Sequence, residues 1–545
     1  MSEGSARGLW WQWGIVYQIY PRSFQDSNGD GVGDLAGISS RLDYLEWLGV
    51  DAIWLSPIYP SPMADFGYDV SDYTAVHPLF GSMADFESLL GEAHRRNLRV
   101  IMDFVPNHTS EEHPWFRSAR SSRDDPKRDW FMWRDPAPGG GPPNNWLSVF
   151  GGRAWSFDET TGQYYYHAYL PEQPDLNWRN PEVREAMLAA MRFWLDKGVD
   201  GFRVDVMWHL IKDEHFRDNP VNPDYRNGMP TYHQQVPAFS VDQPEVHEVV
   251  AEMRRLVDEY RDRVLIGEIY LPIPQLVAYY GRSDQPGAHL PFNFQLITLP
   301  WDAREISVAI DRYEGELPEE AWPNWVLGNH DKSRIASRVG PAQARVATML
   351  LLTLRGTPTM YYGDEIAMQD VDVPTDRVQD PNERRNPGLR MGRDPVRTPM
   401  QWTGRPGAGF SDAEPWLPLA HDYAEANVEA QRGEPDSHLS LTRRLIALRR
   451  AEPALSLGEY YPVNADEPVL AFVREFQGER FLIALNLSGK KADLAEDESS
   501  RRYGWHGEVV CCTHANRERR RVAGRVPLVA DEGVVVRLEP ASPAT

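Results

Sequence analysis

Eight short apolar runs, set apart by stretches of helical period, constrain this chain more than any other feature. The runs are Val16–Tyr20, Ala52–Leu55, Val100–Phe104, Gly201–Val204, Val264–Gly267, Phe292–Ile297, Asn324–Leu327 and Thr359–Tyr362. Each is short enough for a buried strand, and between them lie amphipathic patterns such as Asp43–Leu48, Met83–Arg96 and Pro181–Lys197. Eight apolar strands alternating with helices predict an α/β chain closed into a TIM-type (β/α)8 barrel. The spacing is uneven in one place. About a hundred residues rich in Trp, Tyr, Gly and Pro separate the third and fourth runs, far beyond a ~2–6 residue βα loop. We therefore expect a barrel formed by residues 1–105 and 178–456, with residues 106–177 as an inserted subdomain over its top. A second irregular stretch, Met368–Pro418, follows the eighth run. After the helical pattern Leu439–Arg450 come alternating runs with no helix between them, Val469–Arg474 and Phe481–Leu487, which predict a C-terminal all-β sandwich over 457–545.

Composition excludes several classes of function. With 57 basic and 80 acidic residues the formal charge is −23, so the chain repels nucleic-acid backbones and anionic membranes. The start, MSEGSARGLWWQW, lacks the basic and apolar segments of an export signal, and no window approaches ~18 consecutive apolar residues. The only cysteines, Cys511 and Cys512, are adjacent, which suits neither an ordinary disulfide nor a metal-site spacing. The expectation is a soluble cytoplasmic protein.

On such a barrel the chemistry sits where strands end, because the βα loops converge there. Asp103 closes the third run in DFVPNH, Arg203 and Asp205 the fourth in GFRVDV, Glu268 the fifth in LIGE, and His330 and Asp331 follow the seventh in GNHD. One such carboxylate could be a helix cap or a surface ion pair. Four apolar strands that deliver charge to the same rim read as a site.

These four segments resemble the four signature regions of the α-amylase superfamily of glycoside hydrolases. QPDLN at Gln173–Asn177 and RTPMQW at Arg397–Trp402 are similar to marks of its oligo-1,6-glucosidase branch. The resemblance implies a retaining, exo-acting α-glucosidase for short α-1,6- or α-1,4-linked oligosaccharides, with transglucosylation as a side activity. It implies Asp205 as nucleophile, Glu268 as general acid/base and Asp331 as the third carboxylate, with His108 and His330 binding sugar hydroxyls. Asp65, Tyr68 and Arg397 match the positions that hold the terminal glucose, and Val206 the position tied to linkage preference. Arg203, two residues before Asp205 on one strand, shares its face and is expected to lower its pKa. The helical insert that some members carry before RTPMQW is replaced here by a short Pro- and Arg-rich loop. The same resemblance admits an isomerising or transferring enzyme such as a trehalose synthase. It also admits a non-catalytic transporter heavy chain, which is disfavoured because all three carboxylates are present.

The loop DSNGDGVGD places oxygens at Asp26, Asn28, Asp30 and Asp34, with the Val32 carbonyl between, in the spacing of the first nine positions of an EF-hand. Its twelfth position is Gly37, without the usual bidentate Glu. With the branch resemblance, this implies structural Ca2+ remote from the chemistry and no organic cofactor. Trp10, Trp11 and Trp13 are expected to pack in the core rather than stack on sugar.

Overall fold

The computed structural model describes residues 8–496 and 504–539; the first seven residues of the N-terminal reading lie outside them. Eight parallel strands form one sheet: β1 (Val16–Ile19), β2 (Ala52–Leu55), β3 (Arg99–Phe104), β7 (Gly201–Val204), β8 (Val264–Gly267), β11 (Leu290–Pro291), β12 (Asn324–Val326) and β13 (Thr357–Tyr361). The order β11-β8-β7-β3-β2-β1-β13-β12 is that of a barrel opened between its sixth and seventh strands. A parallel bridge from Asn293 to Trp325 spans that gap.

The sixth strand corrects the sequence reading. Phe292–Ile297 does not extend as a strand: pairing to β8 ends at Pro291, and Gln295–Thr298 turns into a helix. Phe292, Phe294 and Ile297 are buried all the same, in a cluster with Trp54, Val264 and Val326. An apolar run six residues long satisfies strand and helix alike, and only its neighbours decide. Trp10 and Trp11 are buried with this cluster and Trp13 packs half-buried against it.

Between barrel elements the helices carry the signals that start and stop them. Ser82 and Asp85 form a reciprocal capping box for Met83–Arg95. For Pro181–Lys197, Asn180 caps the start, Pro181 occupies the first turn, and Gly198 at φ 101° ends it.

Within residues 106–177, strands β4 (Trp133–Arg134), β5 (Trp155–Asp158) and β6 (Gln163–Tyr166) form a small antiparallel sheet over an aromatic core that includes Trp146, Trp155 and Tyr166. A two-stranded ribbon, β9 (Gly281–Arg282) and β10 (Gln285–Pro286), precedes the sixth barrel strand. Beyond the barrel, β14 (Glu459–Val463), β15 (Val469–Phe476), β16 (Glu479–Asn486), β18 (His506–Cys512), β19 (Arg521–Ala523) and β21 (Gly533–Leu538) form one antiparallel sheet. β17 (Ala492–Ala495) and β20 (Arg525–Leu528) pair beside it. Along β15 the side chains alternate: Leu470 and Phe472 join the main core, whereas Val469, Ala471 and Val473 pack into the sheet's own outer cluster. The sheet is thus buried on both faces.

Candidate active site

Parallel register sets the site. In β3 and β7, Asp103 lies opposite Arg203, and in β7 and β8, Val204 lies opposite Gly267. Asp205 and Glu268 follow Val204 and Gly267 directly, so the two carboxylates leave the rim side by side. Arg203 is fully buried between them: its Nη1 donates to Asp103 Oδ1 and Asp205 Oδ1, both at 2.8 Å, and its Nη2 lies 2.7 Å from Glu268 Oε2.

Glu268 Oε2 also accepts the backbone N–H of Val206 at 2.8 Å. With two N–H donors on that oxygen, a proton on Glu268 belongs on Oε1. Val206 reaches this position with φ 37° and ψ 47°, a left-handed conformation that a β-branched residue adopts at a cost of ~1–3 kcal/mol. The strain coincides with the backbone N–H that bonds Glu268.

Electrostatics here corrects one expectation. Burial, then the charge of neighbouring Glu268, push the Asp205 carboxyl well up, and Arg203 offsets this only in part. Burial likewise raises Glu268, against the pull of Arg203. Burial pushes Asp103 up to about 6. One guanidinium thus faces three buried carboxyls, and burial outweighs its pull on each of them.

Asp331 behaves differently. Burial pushes it up, but His330, Arg397, Arg393 and Arg203 together outweigh burial and hold it far below the usual carboxylate range. Arg397, also fully buried, donates Nη2 to Asp331 Oδ1 at 2.8 Å and Nε to the His330 carbonyl at 2.8 Å.

The histidines sit in chains of hydrogen bonds. His108 Nε2 faces the Tyr68 carbonyl at 2.8 Å, which can only accept, while Asn107 Nδ2 donates to Nδ1 at 3.1 Å. Burial pushes His108 down to about 4, so the ring is neutral at pH 7. Gln18 Nε2 donates to His330 Nδ1 at 2.7 Å, His330 Nε2 meets the Tyr68 hydroxyl at 2.7 Å, and that hydroxyl donates to Asp103 Oδ2 at 3.0 Å. Tyr68 and His330 stack with centroids 5.3 Å apart and planes within 5°.

Asp65 pairs with Arg393, whose Nη2 lies 2.5 Å from Asp65 Oδ1, whereas Arg397 donates to Asp331. Arg393 went unnoticed because its loop holds four arginines, Arg384, Arg385, Arg390 and Arg393, and no spacing rule selects among them. Lys212 was missed as well. It is fully buried, with Nζ 2.5 Å from Asp175 Oδ2 and 2.7 Å from Asn107 Oδ1, and it ties the loop after β7 to the end of the insert beside His108. Gln173, quoted only as part of QPDLN, donates to the Tyr68 carbonyl at 3.2 Å.

The loop Asp26–Asp34 does not gather its carboxylates. Asp26 accepts N–H bonds from Asn28, Gly29 and Gly31 and a hydroxyl bond from Ser411. Asp30 accepts from Val32 N–H, and Asp34 from Ser27 and from Gly37 at the start of the next helix. Among the described residues no group of three or more His, Cys, Asp or Glu side chains is arranged to hold a metal ion. Among them, too, no helix is long and apolar enough to cross a membrane.

Comparison with known proteins agrees with this geometry. Residues 18–458 match the α-amylase catalytic domain. The chain is 43% identical to an α-glucosidase of Culex pipiens, over 88% of this chain and 82% of that protein. It is 39% identical to an oligo-1,6-glucosidase of Heyndrickxia coagulans, over 88% and 92%. A solved α-glucosyl transfer enzyme superposes with a TM-score of 0.92 at 42% identity, covering 97% of this chain and 100% of that one. Four rim segments on one barrel, three of their carboxylates gathered on Arg203, and a catalytic-domain match across most of the chain lead to one conclusion: the protein belongs to the α-amylase family of glycoside hydrolases.

Proposed function

We propose that the chain is a retaining exo-α-glucosidase that releases terminal glucose from short α-linked oligosaccharides. Asp205 attacks the anomeric carbon, and Glu268 protonates the departing oxygen from Oε1 and later deprotonates the incoming water. Asp331, kept ionised by its cationic neighbours, binds sugar hydroxyls and favours the oxocarbenium-like transition state. His108 and His330 bind further hydroxyls, and Asp65 with Tyr68 receives the non-reducing end. The observation that carries the reading is the sharing of one buried guanidinium by Asp205 and Glu268, which holds the two carboxyls side by side at the rim, as the paired groups of a retaining glycosidase require.

The test is product analysis on isomaltose, maltose, sucrose and trehalose, with the anomer of the first-released glucose read by NMR. We expect α-glucose. Initial release of β-glucose, or no cleavage of any of the four, would refute the reading. A second reading, transfer of glucose to an acceptor hydroxyl in preference to water, is favoured by the likeness to the α-glucosyl transfer enzyme. It would show as transfer products outnumbering free glucose at low acceptor concentration.

Two further parts belong to the proposal. The side-chain oxygens of Asp26, Asn28, Asp30 and Asp34 with the Val32 carbonyl are donors of the hard-oxygen type that suits Ca2+, an ion that would brace the loop and take no part in the chemistry. Two free, buried cysteines support a reducing, cytoplasmic setting.

A further inference from the structure

The loop after β13 returns to the barrel through a small helix, Pro381–Arg385, whose N-cap is Asp380. Asp380 is completely buried and spends almost all its hydrogen-bonding capacity on one residue. Its Oδ1 accepts from Arg393 Nη2 at 2.7 Å and Nε at 3.2 Å, and its Oδ2 from Arg393 Nε at 3.1 Å and the Arg393 backbone N–H at 2.5 Å. The base of the Arg393 side chain is therefore clamped to its own loop. Its far end reaches the rim carboxylates: Nη2 bonds Asp65, Nη1 lies 3.6 Å from Asp331 Oδ1, beyond hydrogen-bond length, and the guanidinium lies 4.8 Å from the centre of the Phe150 ring.

The same loop is fastened to the inserted subdomain. Asn386 Nδ2 donates to the Phe150 carbonyl at 2.9 Å, and Arg385 Nη2 donates to the Gly151 carbonyl at 2.9 Å. Gly151, at φ 86°, leaves room for this: a Cβ there would stand 2.6 Å from Asn386 Oδ1. The loop thus forms a clasp between barrel and insert, with Arg393 as the bar across the closed end.

We propose that Asp380 is a positioning residue for recognition of the terminal sugar, which it exerts by holding Arg393 between Asp65 and Asp331. The argument is one of charge and freedom. Arg393 carries one positive charge among three carboxylates. Without Asp380 it would collapse onto Asp65 as a bidentate pair and take up the oxygens that should receive sugar hydroxyls. With Asp380 holding Nε, Nη2 and the backbone, Asp65 keeps its Oδ2, met only by a long 3.4 Å bond from Gln173 Nε2, for a sugar hydroxyl, and Nη1 is left as a donor. This rests on the exo-α-glucosidase reading and goes beyond it, since Asp380 itself touches no substrate.

The test uses nitrophenyl α-glucoside and its 4-deoxy and 6-deoxy analogues. In the parent enzyme each missing hydroxyl should lower kcat/KM about tenfold to a hundredfold, the loss of a hydrogen bond to a charged group. In Asp380→Asn, KM for the full glucoside should rise about tenfold or more with a smaller change in kcat, and the deoxy penalties should shrink toward unity. Asp380→Glu, which keeps the charge, should regain part of the discrimination. Uniformly lower kcat with the deoxy penalties intact would mark a merely structural role and overturn the proposal, as would unchanged kinetics. If Asp380→Asn fails to fold, Asn386→Ala opens the clasp without removing a charge and should shrink the same penalties; penalties that stay at parent values would overturn the proposal. Failure of the parent enzyme to cleave the full glucoside would instead refute the α-glucosidase reading.

Discussion

Val206 compresses two roles into one residue. Its backbone, held left-handed, delivers an N–H to Glu268, and its buried side chain follows Asp205 directly. Thr is also β-branched, so Val206→Thr preserves the backbone preference while changing a methyl to a hydroxyl. If the side chain selects the linkage, the ratio of kcat/KM on isomaltose to that on maltose should shift toward maltose by about tenfold to a hundredfold, the ~1–3 kcal/mol scale of a small packing change. A ratio left unmoved would assign linkage selection to the loop Gln379–Arg393. Asp205 is tested separately. Asp205→Ala should lower kcat by about six orders of magnitude, on the ~8 kcal/mol scale of lost nucleophilic catalysis, and azide should partly restore turnover of an activated glucoside. The protein should stay folded, because Arg203 keeps Asp103 and Glu268 as partners. Full activity in that variant would remove Asp205 from the chemistry.

At the scale of elements, the Asp26–Asp34 loop is already rigid without assistance: four of its polar side chains bond its own backbone. Calcium would have to draw those oxygens onto itself, so its effect belongs to stability. Added calcium should raise the Tm and a chelator reverse the rise, by about 2.7 kcal/mol at a hundredfold excess over Kd, with activity below the transition unchanged. A melting curve indifferent to both additions would remove the ion from the loop. The sixth barrel strand teaches a related lesson. Phe292–Ile297 is legible as buried but not as a strand, because its apolar content suits either backbone. What ends pairing at Pro291 is the turn into Gln295–Thr298, which the neighbouring strand accommodates through the Asn293–Trp325 bridge.

For the whole molecule, the seam between barrel and C-terminal sheet is held in an unusual way. Arg474 on β15 is completely buried and, among the described residues, pairs with no carboxylate. Instead it donates to the carbonyls of Thr353 at 2.5 Å, Leu455 at 2.9 Å and Gly458 at 2.8 Å. Burial pulls its pKa well down, with Arg449 adding to the fall. Replacement by Met fills similar space but takes this donor from the Thr353 and Gly458 carbonyls, while Leu455 keeps Arg449 Nη1 at 2.9 Å, and each group left unsatisfied costs ~1–3 kcal/mol. Arg474→Met should therefore lower the Tm by several degrees, measured by scanning calorimetry, while kcat and KM at 25 °C stay at parent values. An unchanged Tm would show that water or neighbouring donors take over those carbonyls. A loss of activity at 25 °C would mean that the seam reaches the catalytic rim.

The sequence by itself determined what depends on local pattern and chemical type. Apolar periodicity determined the barrel and the all-β attachment, and charged residues at strand ends marked Asp103, Arg203, Asp205, Glu268, His330 and Asp331, because strand register carries neighbours in sequence to neighbours on one rim. Only the tertiary structure decided which arginine meets which carboxylate. Arg397 lies in a recognisable hexapeptide yet binds Asp331, while Arg393, in a loop without periodicity, reaches Asp65. The same holds for Lys212, whose partners lie 105 and 37 positions away at Asn107 and Asp175. It holds for the Asp205 carboxyl as well: Arg203 two residues before it promises a lowered pKa, but burial, a property of the packed molecule alone, outweighs that single charge. Long-range pairing and desolvation are set by where the chain returns, and no stretch of sequence carries that information locally.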